Sequence, residues 1–389
     1  MRKIHLGLLP KIIIAIILGI LASFVMPSWM IRLFLTFNSF FGNLLSFAVP
    51  LIILSLITSS IADTESGAGR MLLVTFFLAF ASTVLAGLVS YLTGSTLFPH
   101  LISGTSMAPD DIKESALTAY FTIPMPPLMD VMGGLVASFM MGLGIFYTKS
   151  KVLHQGATEL KEIIIKFISS VIIPLLPLYI FGLFLSLAAS GEAMRVIMVF
   201  IKIIGIIFVL HILWLIALFA LSGAFSGKNP WKLLRTMLPA YLTALATQSS
   251  VATLPVTLKQ AHLLEVDGKV ADFTIPLCAN IHLSGSMLKI VACALALMIM
   301  QGYGYSFPLF VEFIIVLTVT MIAAPGVPGG AIMASLSTLS SILGFTTEGQ
   351  ALMISLYIAM DNFGTACNVT GDGALTVLAD TILKRWNKQ

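Results

Sequence analysis

The chain has 389 residues, of which 58% are hydrophobic and only 10% are charged, and its mean hydropathy is +1.03. A soluble domain is about 45–50% apolar and about 25% charged, so this composition excludes a soluble globular protein and indicates an integral membrane protein. The net charge of +4 does not favour nucleic-acid binding, because the basic residues follow the membrane topology described below.

The first half of the chain contains apolar runs that are each long enough to cross, or nearly cross, a hydrocarbon core about 30 Å thick. These runs cover residues 12–25, 40–57, 71–92, 135–147, 163–189 and 196–221. The first run follows Arg2, Lys3 and Lys11, as in a signal peptide. No small-residue cleavage site is evident and further spans follow, so we predict a retained helix.

The basic residues fall in segments that share one side of the membrane if six helices alternate and the C-terminus returns to that side. They are Arg2, Lys3, Lys11, Lys149, Lys151, Lys161, Lys228, Lys232, Arg235, Lys384, Arg385 and Lys388. By the positive-inside rule, we predict a multi-pass protein of the cytoplasmic (inner) membrane with both termini in the cytoplasm.

In the second half, small and polar residues interrupt the apolar segments at residues 247–255 and 323–330. Irregular backbone at membrane depth is tolerated only where it is buried in protein or lines a wet cavity. Paired broken segments also indicate the substrate site of a transporter. We therefore predict two re-entrant helical hairpins whose tips meet. Alternatively, serine and threonine could serve only to hold neighbouring helices together. This would explain any one of the polar clusters, but not all of them together.

Two further segments are predicted to be helices with a polar face, because each carries polar residues at positions i, i+4, i+7 and i+11. These are Asp361, Thr365, Asn368 and Asp372 in the last helix, and His282, Ser286, Lys289 and Cys293 in a helix predicted over residues 273–300. Ionised carboxylates are costly at membrane depth, which makes the last helix a predicted functional site.

Three motifs resemble those of the dicarboxylate/amino acid:cation symporter family, the glutamate transporter family. Residues 253–257 after a serine pair resemble the first hairpin tip, residues 326–329 the second tip, and residues 368–372 the signature of the last helix. The resemblance covers nearly the whole chain. It implies an all-α membrane transporter with eight transmembrane helices and two re-entrant hairpins, built from inverted repeats and moving as an elevator.

The resemblance also implies that two parts of the chain have different roles. Residues 1–222 supply the first six transmembrane helices, which form a scaffold and trimerisation part, while helices three and six join the transport part. Residues 223–389 supply hairpin one, helix seven, hairpin two and helix eight, which form the transport core. A homotrimer surrounded by membrane lipids is expected.

Site roles follow from the same resemblance. Asp361 matches the aspartate that holds the substrate's α-amino group, and Asn368 matches the asparagine that holds the α-carboxylate and, through its backbone, a sodium ion. Asp372 matches a sodium ligand. The other residues expected to contact the substrate are Thr365, Ser249, Ser250, Ser286, Val327, Gly330 and Gly364.

One departure from the family pattern concerns the substrate. Gly364 stands where the family has an arginine that pairs with an acidic substrate side chain. Without that cation, a second buried carboxylate would be uncompensated at a cost of roughly 3–5 kcal/mol, and glycine also opens space. We therefore predict an amino acid with a neutral side chain. An acidic amino acid or a dicarboxylate remains an alternative only if Lys289 reaches the same pocket.

A second departure concerns the coupling ion. Residues 282–286 (His-Leu-Ser-Gly-Ser) replace the family's Asn-Met-Asp-Gly-Thr, so Ser284 stands in place of a sodium-binding carboxylate. A hard cation needs about six oxygen ligands, so at least one sodium site is predicted to be lost. A proton on His282 or Asp372 is one replacement, and Lys289 as an internal cation that compensates Asp372 is another. A structural hydrogen bond for His282 and an interfacial position for Lys289 also stay open.

We therefore predict a secondary active symporter for a neutral amino acid, coupled to protons or with reduced sodium dependence. The alternatives are a sodium-coupled symporter for dicarboxylates or acidic amino acids, and an anion-conducting channel. A channel needs a polar stripe through several helices, whereas polarity here lies at one depth. We predict no enzyme and no catalytic residue, because no nucleophile motif or cofactor fingerprint is present. The expected cofactor is at most Na⁺ or H⁺ as a coupling ion.

Overall fold

The computed structural model describes residues 8–62, 69–102, 117–129, 131–191, 193–322, 324 and 329–386. Every regular element among these residues is a helix. The helices of the first half are α1 (Leu8–Ser23), α2 (Ser28–Ala62), α3 (Gly69–Ile102), α4 (Val131–Thr148), α5 (Lys151–Phe167), α6 (Ile173–Ala189) and α7 (Ala193–Ser226). All six predicted apolar runs lie largely within these helices.

The described part of the second half is a series of shorter helices, several separated by only one or two residues, and a long final helix. Its helices are α8 (Pro230–Thr247), α9 (Ser250–His262), α10 (Gly268–Ile281), α11 (Ser284–Met300), α12 (Phe307–Met321), α13 (Gly330–Ser341), α14 (Thr347–Ala359) and α15 (Asp361–Trp386). Together with the first half they make an all-helical membrane protein.

Five helical segments of the described residues are long and apolar enough to cross a membrane. They are Ser28–Ser59, Arg70–Ile102, Lys151–Ala189, Val196–Ser226 and Gly268–Met300. Shorter apolar helices cover Pro10–Ser23, Val136–Thr148 and Phe307–Met321. The chain is therefore a multi-pass membrane protein.

A π-helical turn, Ile168–Ile172, joins α5 and α6 into one long segment. Pro174 in the first turn of α6 has no N–H to donate, and its ring would crowd the carbonyl four residues earlier. The helix widens instead, and the N–H of Ile173 bonds the carbonyl oxygen of Ile168, five residues back. The proline thus explains why the turn before it is wider than an α-helical turn.

The hairpin predicted at residues 247–255 consists of α8 and α9, which pack against each other. Gln248 adopts a left-handed backbone conformation (φ 54°) that ends α8. The side chain of Ser249 then accepts a hydrogen bond from the N–H of Ala252 and caps α9. The chain reverses over these two residues, because one satisfies the end of the first helix and the other the start of the second.

The second hairpin consists of α12 and α13, which also pack together. Gly329 precedes α13 with a positive φ of 76°, a conformation that favours glycine. The rest of the predicted tip, including Val327, lies outside the described residues.

The helix predicted over residues 273–300 is not continuous, and this prediction was wrong. It breaks at His282 and Leu283, and His282 has an extended backbone (φ −98°, ψ 98°). Residues of other helices form hydrogen bonds next to this break. The N–H of Gly285 donates to Asn368 Oδ1 at 2.7 Å, and Nε2 of His211 donates to the Gly285 carbonyl oxygen at 2.9 Å. His282 therefore does not share the α11 face that carries Ser286 and Lys289.

Helix α15 lies at the centre of the second half. It packs against α3, α7, α8, α9, α10 and α11, and its residues from 364 to 380 are all buried. In the other part of the molecule, α1 packs on α6, and α2 packs on α4, α5 and α6. The polar face of α15 is thus surrounded by protein rather than by lipid.

The far end of α15 is fixed by a separate polar cluster. Asp380 accepts hydrogen bonds from Lys384 Nζ at 2.7 Å and from the N–H of Asp267 at 3.2 Å. Arg385 donates to the carbonyl oxygen of Phe225 at 2.8 Å. These contacts join the last helix to the last turn of α7 and to the loop that follows α9.

Candidate functional site

Asp361 begins α15 and forms a buried salt bridge with Lys289 of α11. Lys289 Nζ lies 2.8 Å from Asp361 Oδ1, and the two side chains are 0% and 5% exposed. The other carboxylate oxygen accepts a hydrogen bond from the N–H of Gly329 at 2.8 Å. The ammonium also lies 3.4 Å from the centre of the Tyr357 ring, a cation–π contact. Both oxygens of Asp361 therefore have partners.

Lys289 does not take two of the three places that the sequence left open for it, namely a membrane interface and a position beside Asp372. Its side chain is fully buried, so it does not reach a membrane interface. Its partner is Asp361, whereas Asp372 pairs with His282. The interpretation of Lys289 as the compensating cation of Asp372 is therefore wrong, because its ammonium group forms a salt bridge with Asp361.

Asn368 lies two turns after Asp361 and caps the start of α11. Its Oδ1 accepts from the N–H groups of Gly285 at 2.7 Å and Ser286 at 3.3 Å. Its Nδ2 donates to Ser286 Oγ at 3.1 Å, and that hydroxyl lies 3.2 Å from the hydroxyl of Tyr357. Asn368 thereby ties together the two helices that carry Asp361 and Lys289.

A small cavity lies where the first hairpin tip, the α10–α11 break and the start of α15 meet. Its described lining consists of Gln248, Ser250, Ala279, Asn280, Leu283, Ser286, Ala324, Ala331, Tyr357, Asp361, Thr365 and Asn368. Its volume is about 30 Å³, which suits water rather than an amino acid. Within this described lining, Asp361 is the single charged side chain, and no lysine, arginine or histidine is present.

The cavity gathers most of the predicted substrate contacts. Asp361, Thr365, Asn368, Ser250 and Ser286 line it, and they come from three different segments of the chain. Of the remaining predicted contacts, two lie beside the wall: Ser249 immediately precedes Ser250, and Gly330 immediately precedes Ala331. Gly364 faces Lys289 instead.

His282 and Asp372 form a second buried pair beyond the cavity. His282 Nδ1 lies 2.8 Å from Asp372 Oδ1, and both side chains are at most 1% exposed. Since a carboxylate accepts, Nδ1 carries the hydrogen in this bond. His282 Nε2 lies 3.0 Å from the hydroxyl of Ser82 on α3. A hydroxyl both donates and accepts, so the same contacts suit a neutral and a protonated imidazole.

The sequence profile of the sodium:dicarboxylate symporter family matches residues 8–382. The chain belongs to the sodium:dicarboxylate symporter family. It is 26% identical to the serine/threonine transporter SstT of Acinetobacter baumannii over 97% of both chains. It is 25% identical to SstT of Enterococcus faecalis, over 98% of this chain and 93% of the relative. A stretch covering 37% of this chain is 36% identical to human excitatory amino acid transporter 5, covering 26% of that protein.

Membership of the sodium:dicarboxylate symporter family confirms the predicted resemblance and the absence of an enzymatic role, since the family and these relatives are transporters. The family description names sodium. At two positions where the family pattern has sodium ligands, Asp372 Oδ1 accepts a hydrogen bond from His282 Nδ1, and the buried hydroxyl of Ser284 has no hydrogen-bond partner among the described residues.

Gly364 explains how Lys289 fits into this symporter. A Cβ at position 364 would lie 2.5 Å from Lys289 Cε and 2.7 Å from its Nζ. The space left by the missing side chain is therefore filled by Lys289 and does not enlarge the cavity. The cation beside position 364 therefore comes from α11, and Lys289 does not belong to the described lining of the cavity.

We expect Gly364→Ala to destabilise the symporter by about 1–3 kcal/mol, as overpacking does in a well-filled core. In a Lys289→Ala background the clashing atoms are gone, and the same change should cost less than half as much. Thermal unfolding of the four proteins in detergent measures this coupling. Additive effects would contradict the contact.

Sequence reasoning did not assign three of the polar residues at this site. Tyr357 lies one turn before Asp361 within an apolar run, and its hydroxyl was the one feature that could have indicated a role in the site. Asn280 lies two residues before His282 and lines the cavity. His211 lies within an apolar run of α7, and its contact with Gly285 is visible only in three dimensions.

Proposed function

We propose that this protein is a secondary active symporter that carries a neutral amino acid across the cytoplasmic membrane. The observation that carries the proposal is the cavity lining, which among the described residues contains one carboxylate and no cationic side chain. Asp361 suits a substrate ammonium group. A second substrate carboxylate would be buried without compensation, at roughly 3–5 kcal/mol. The printed names of the serine/threonine transporters support a small neutral substrate.

The substrate's α-carboxylate would rest on the other polar groups of the cavity. Thr365, Ser250 and Asn368 line it, and Ser249 and Gly330 immediately precede lining residues. Val327, which lies outside the described residues, is proposed as a further contact. Backbone N–H groups at helix starts bind carboxylates well. Because the cavity suits water as it stands, loading requires its walls to move apart.

For the coupling ion, we propose a proton, or at most a reduced dependence on sodium. His282 occupies Asp372 Oδ1 and contacts Ser82, an arrangement that accepts either protonation state. Histidine is the side chain whose charge changes most readily between pH 5 and 8. The pair would thereby be neutralised by a proton on His282, in a region where the family pattern has sodium ligands.

For the architecture, we propose eight spanning helices, two re-entrant hairpins, cytoplasmic termini and a homotrimer that works as an elevator. Residues 1–222 would form the scaffold, and residues 223–389 the transport core. The packing supports this division in part: α3 and α7 contact α11 and α15, whereas the main partners of α1 and α2 are α4, α5 and α6 of the first half, with smaller contacts to α13 and α14.

A second candidate is a sodium-coupled symporter for acidic amino acids or dicarboxylates. Two observations favour it: the description of the family, and the ammonium of Lys289 beside Asp361. This candidate requires Lys289 to turn from Asp361 toward a substrate carboxylate inside the cavity.

Equilibrium binding to purified protein separates the two candidates. We expect L-serine, L-threonine or L-alanine to bind with and without sodium, and L-aspartate, L-glutamate and succinate to bind at least tenfold more weakly. Isothermal titration calorimetry in sodium and in choline buffers measures this. Tight binding of aspartate or succinate that requires sodium would establish the second candidate and overturn the first.

A further inference from the structure

The aspartate expected to bind the substrate ammonium already has an ammonium partner. Lys289 Nζ lies 2.8 Å from Asp361 Oδ1, and the N–H of Gly329 lies 2.8 Å from Oδ2. The lysine side chain is fully buried, so this pair is not a surface contact that water replaces. Asp361 is therefore charge-paired by a side chain of the protein itself.

Lys289 reaches Asp361 from outside the cavity. It is absent from the described cavity lining, whereas Asp361 and Tyr357 are part of it. The ring of Tyr357 lies against Nζ, and the space beside Gly364 accommodates the lysine chain. The cavity side of Asp361 thus stays open to a second ammonium group, and a carboxylate has about four acceptor positions to share.

We propose that Lys289 is a resident counter-ion, which keeps Asp361 paired while the carrier is empty and lets the empty carrier reorient without a bound cation. The inference rests on the proposed function, because it takes the substrate to be an amino acid whose ammonium binds Asp361. In the loaded carrier the substrate itself supplies an ammonium partner. When the substrate has left, Lys289 remains as the partner, because it reaches Asp361 from outside the cavity lining.

This role predicts different effects on exchange and on net uptake. During exchange the carrier changes sides only with substrate bound, and the substrate ammonium then remains a partner of Asp361 even when Lys289 is removed. Net uptake also requires the empty carrier to return. Without Lys289, that step would carry a buried carboxylate with no opposite charge, which is strongly unfavourable. Removing the lysine charge should therefore slow net uptake far more than exchange.

The experiment compares wild type, Lys289→Met and Lys289→Gln in proteoliposomes with radiolabelled L-serine. Net uptake is measured into vesicles without internal amino acid, and exchange into vesicles loaded with unlabelled L-serine. We expect the ratio of net uptake to exchange to fall at least tenfold in both variants. Lys289→Gln keeps a hydrogen-bond donor near Asp361 without the charge, so it gives the result if Lys289→Met does not fold.

Three results would count against the proposal. An unchanged ratio in both variants overturns it, because the empty carrier then returns without the lysine charge. Equal losses of net uptake and exchange also overturn it, since they assign Lys289 a positioning role in the loaded protein. A wild-type protein that transports no amino acid overturns the proposed function, and this inference with it.

Discussion

Asp361→Asn is expected to destabilise the protein by roughly 3–5 kcal/mol, because it leaves the ammonium of Lys289 buried without a counter-charge. Amino acid binding should be lost as well, since the amide no longer compensates a substrate ammonium. Thermal unfolding in detergent and calorimetric titration with L-serine measure the two effects.

Two variants separate the loss of folding from the loss of binding. Asp361→Asn combined with Lys289→Met removes both charges and should recover most of the stability but none of the binding. Asp380→Asn makes the same change at another buried aspartate of α15, far along the helix from the cavity, and should retain serine binding. If Asp361→Asn alone keeps its stability, the buried salt bridge does not exist in the protein.

His282→Asn combined with Ser284→Asp is expected to create sodium-dependent binding. The double change removes the imidazole from Asp372 Oδ1 and supplies a second carboxylate, which together restore the residues of the family pattern at these positions. Hard cations favour carboxylate and amide oxygens. We expect sodium to raise the affinity for L-serine at least tenfold in the variant, and less than twofold in the wild type.

The matched control is His262→Asn. His262 also pairs with an aspartate, Asp272, at 2.9 Å, but both side chains are largely exposed at the base of the first hairpin. This variant should show the wild-type response to sodium. A wild-type protein whose affinity already rises tenfold with sodium would contradict the predicted loss of a sodium site.

The polar face of α15 and the break between α8 and α9 could be predicted because their signals are local. Asp361, Thr365, Asn368 and Asp372 follow the helical period, and the period places them on one face whatever surrounds them. The serine pair and the Gly-Pro residues mark breaks in apolar runs, where an unbroken helix would otherwise be expected. Membrane depth then restricts such breaks to buried or wet positions.

The break at His282 and the partner of Lys289 could not be predicted, because both depend on contacts between distant segments. A continuous helix through residues 273–300 satisfies the sequence pattern. The cap supplied by Asn368 and the contact from His211 favour the break instead. Similarly, Gly364 was interpreted as empty space, since nothing in its own neighbourhood indicates that Lys289, 75 positions earlier in the chain, fills it.

Uptake into proteoliposomes under separately imposed sodium and proton gradients tests the substrate and the coupling ion together. The cavity, whose described lining holds one carboxylate and no cation, should carry a neutral amino acid. We predict that L-serine or L-threonine accumulates under an inward proton gradient without sodium, and that L-aspartate does not. Accumulation of L-aspartate driven strictly by sodium, with no uptake of neutral amino acids, would contradict the proposed function.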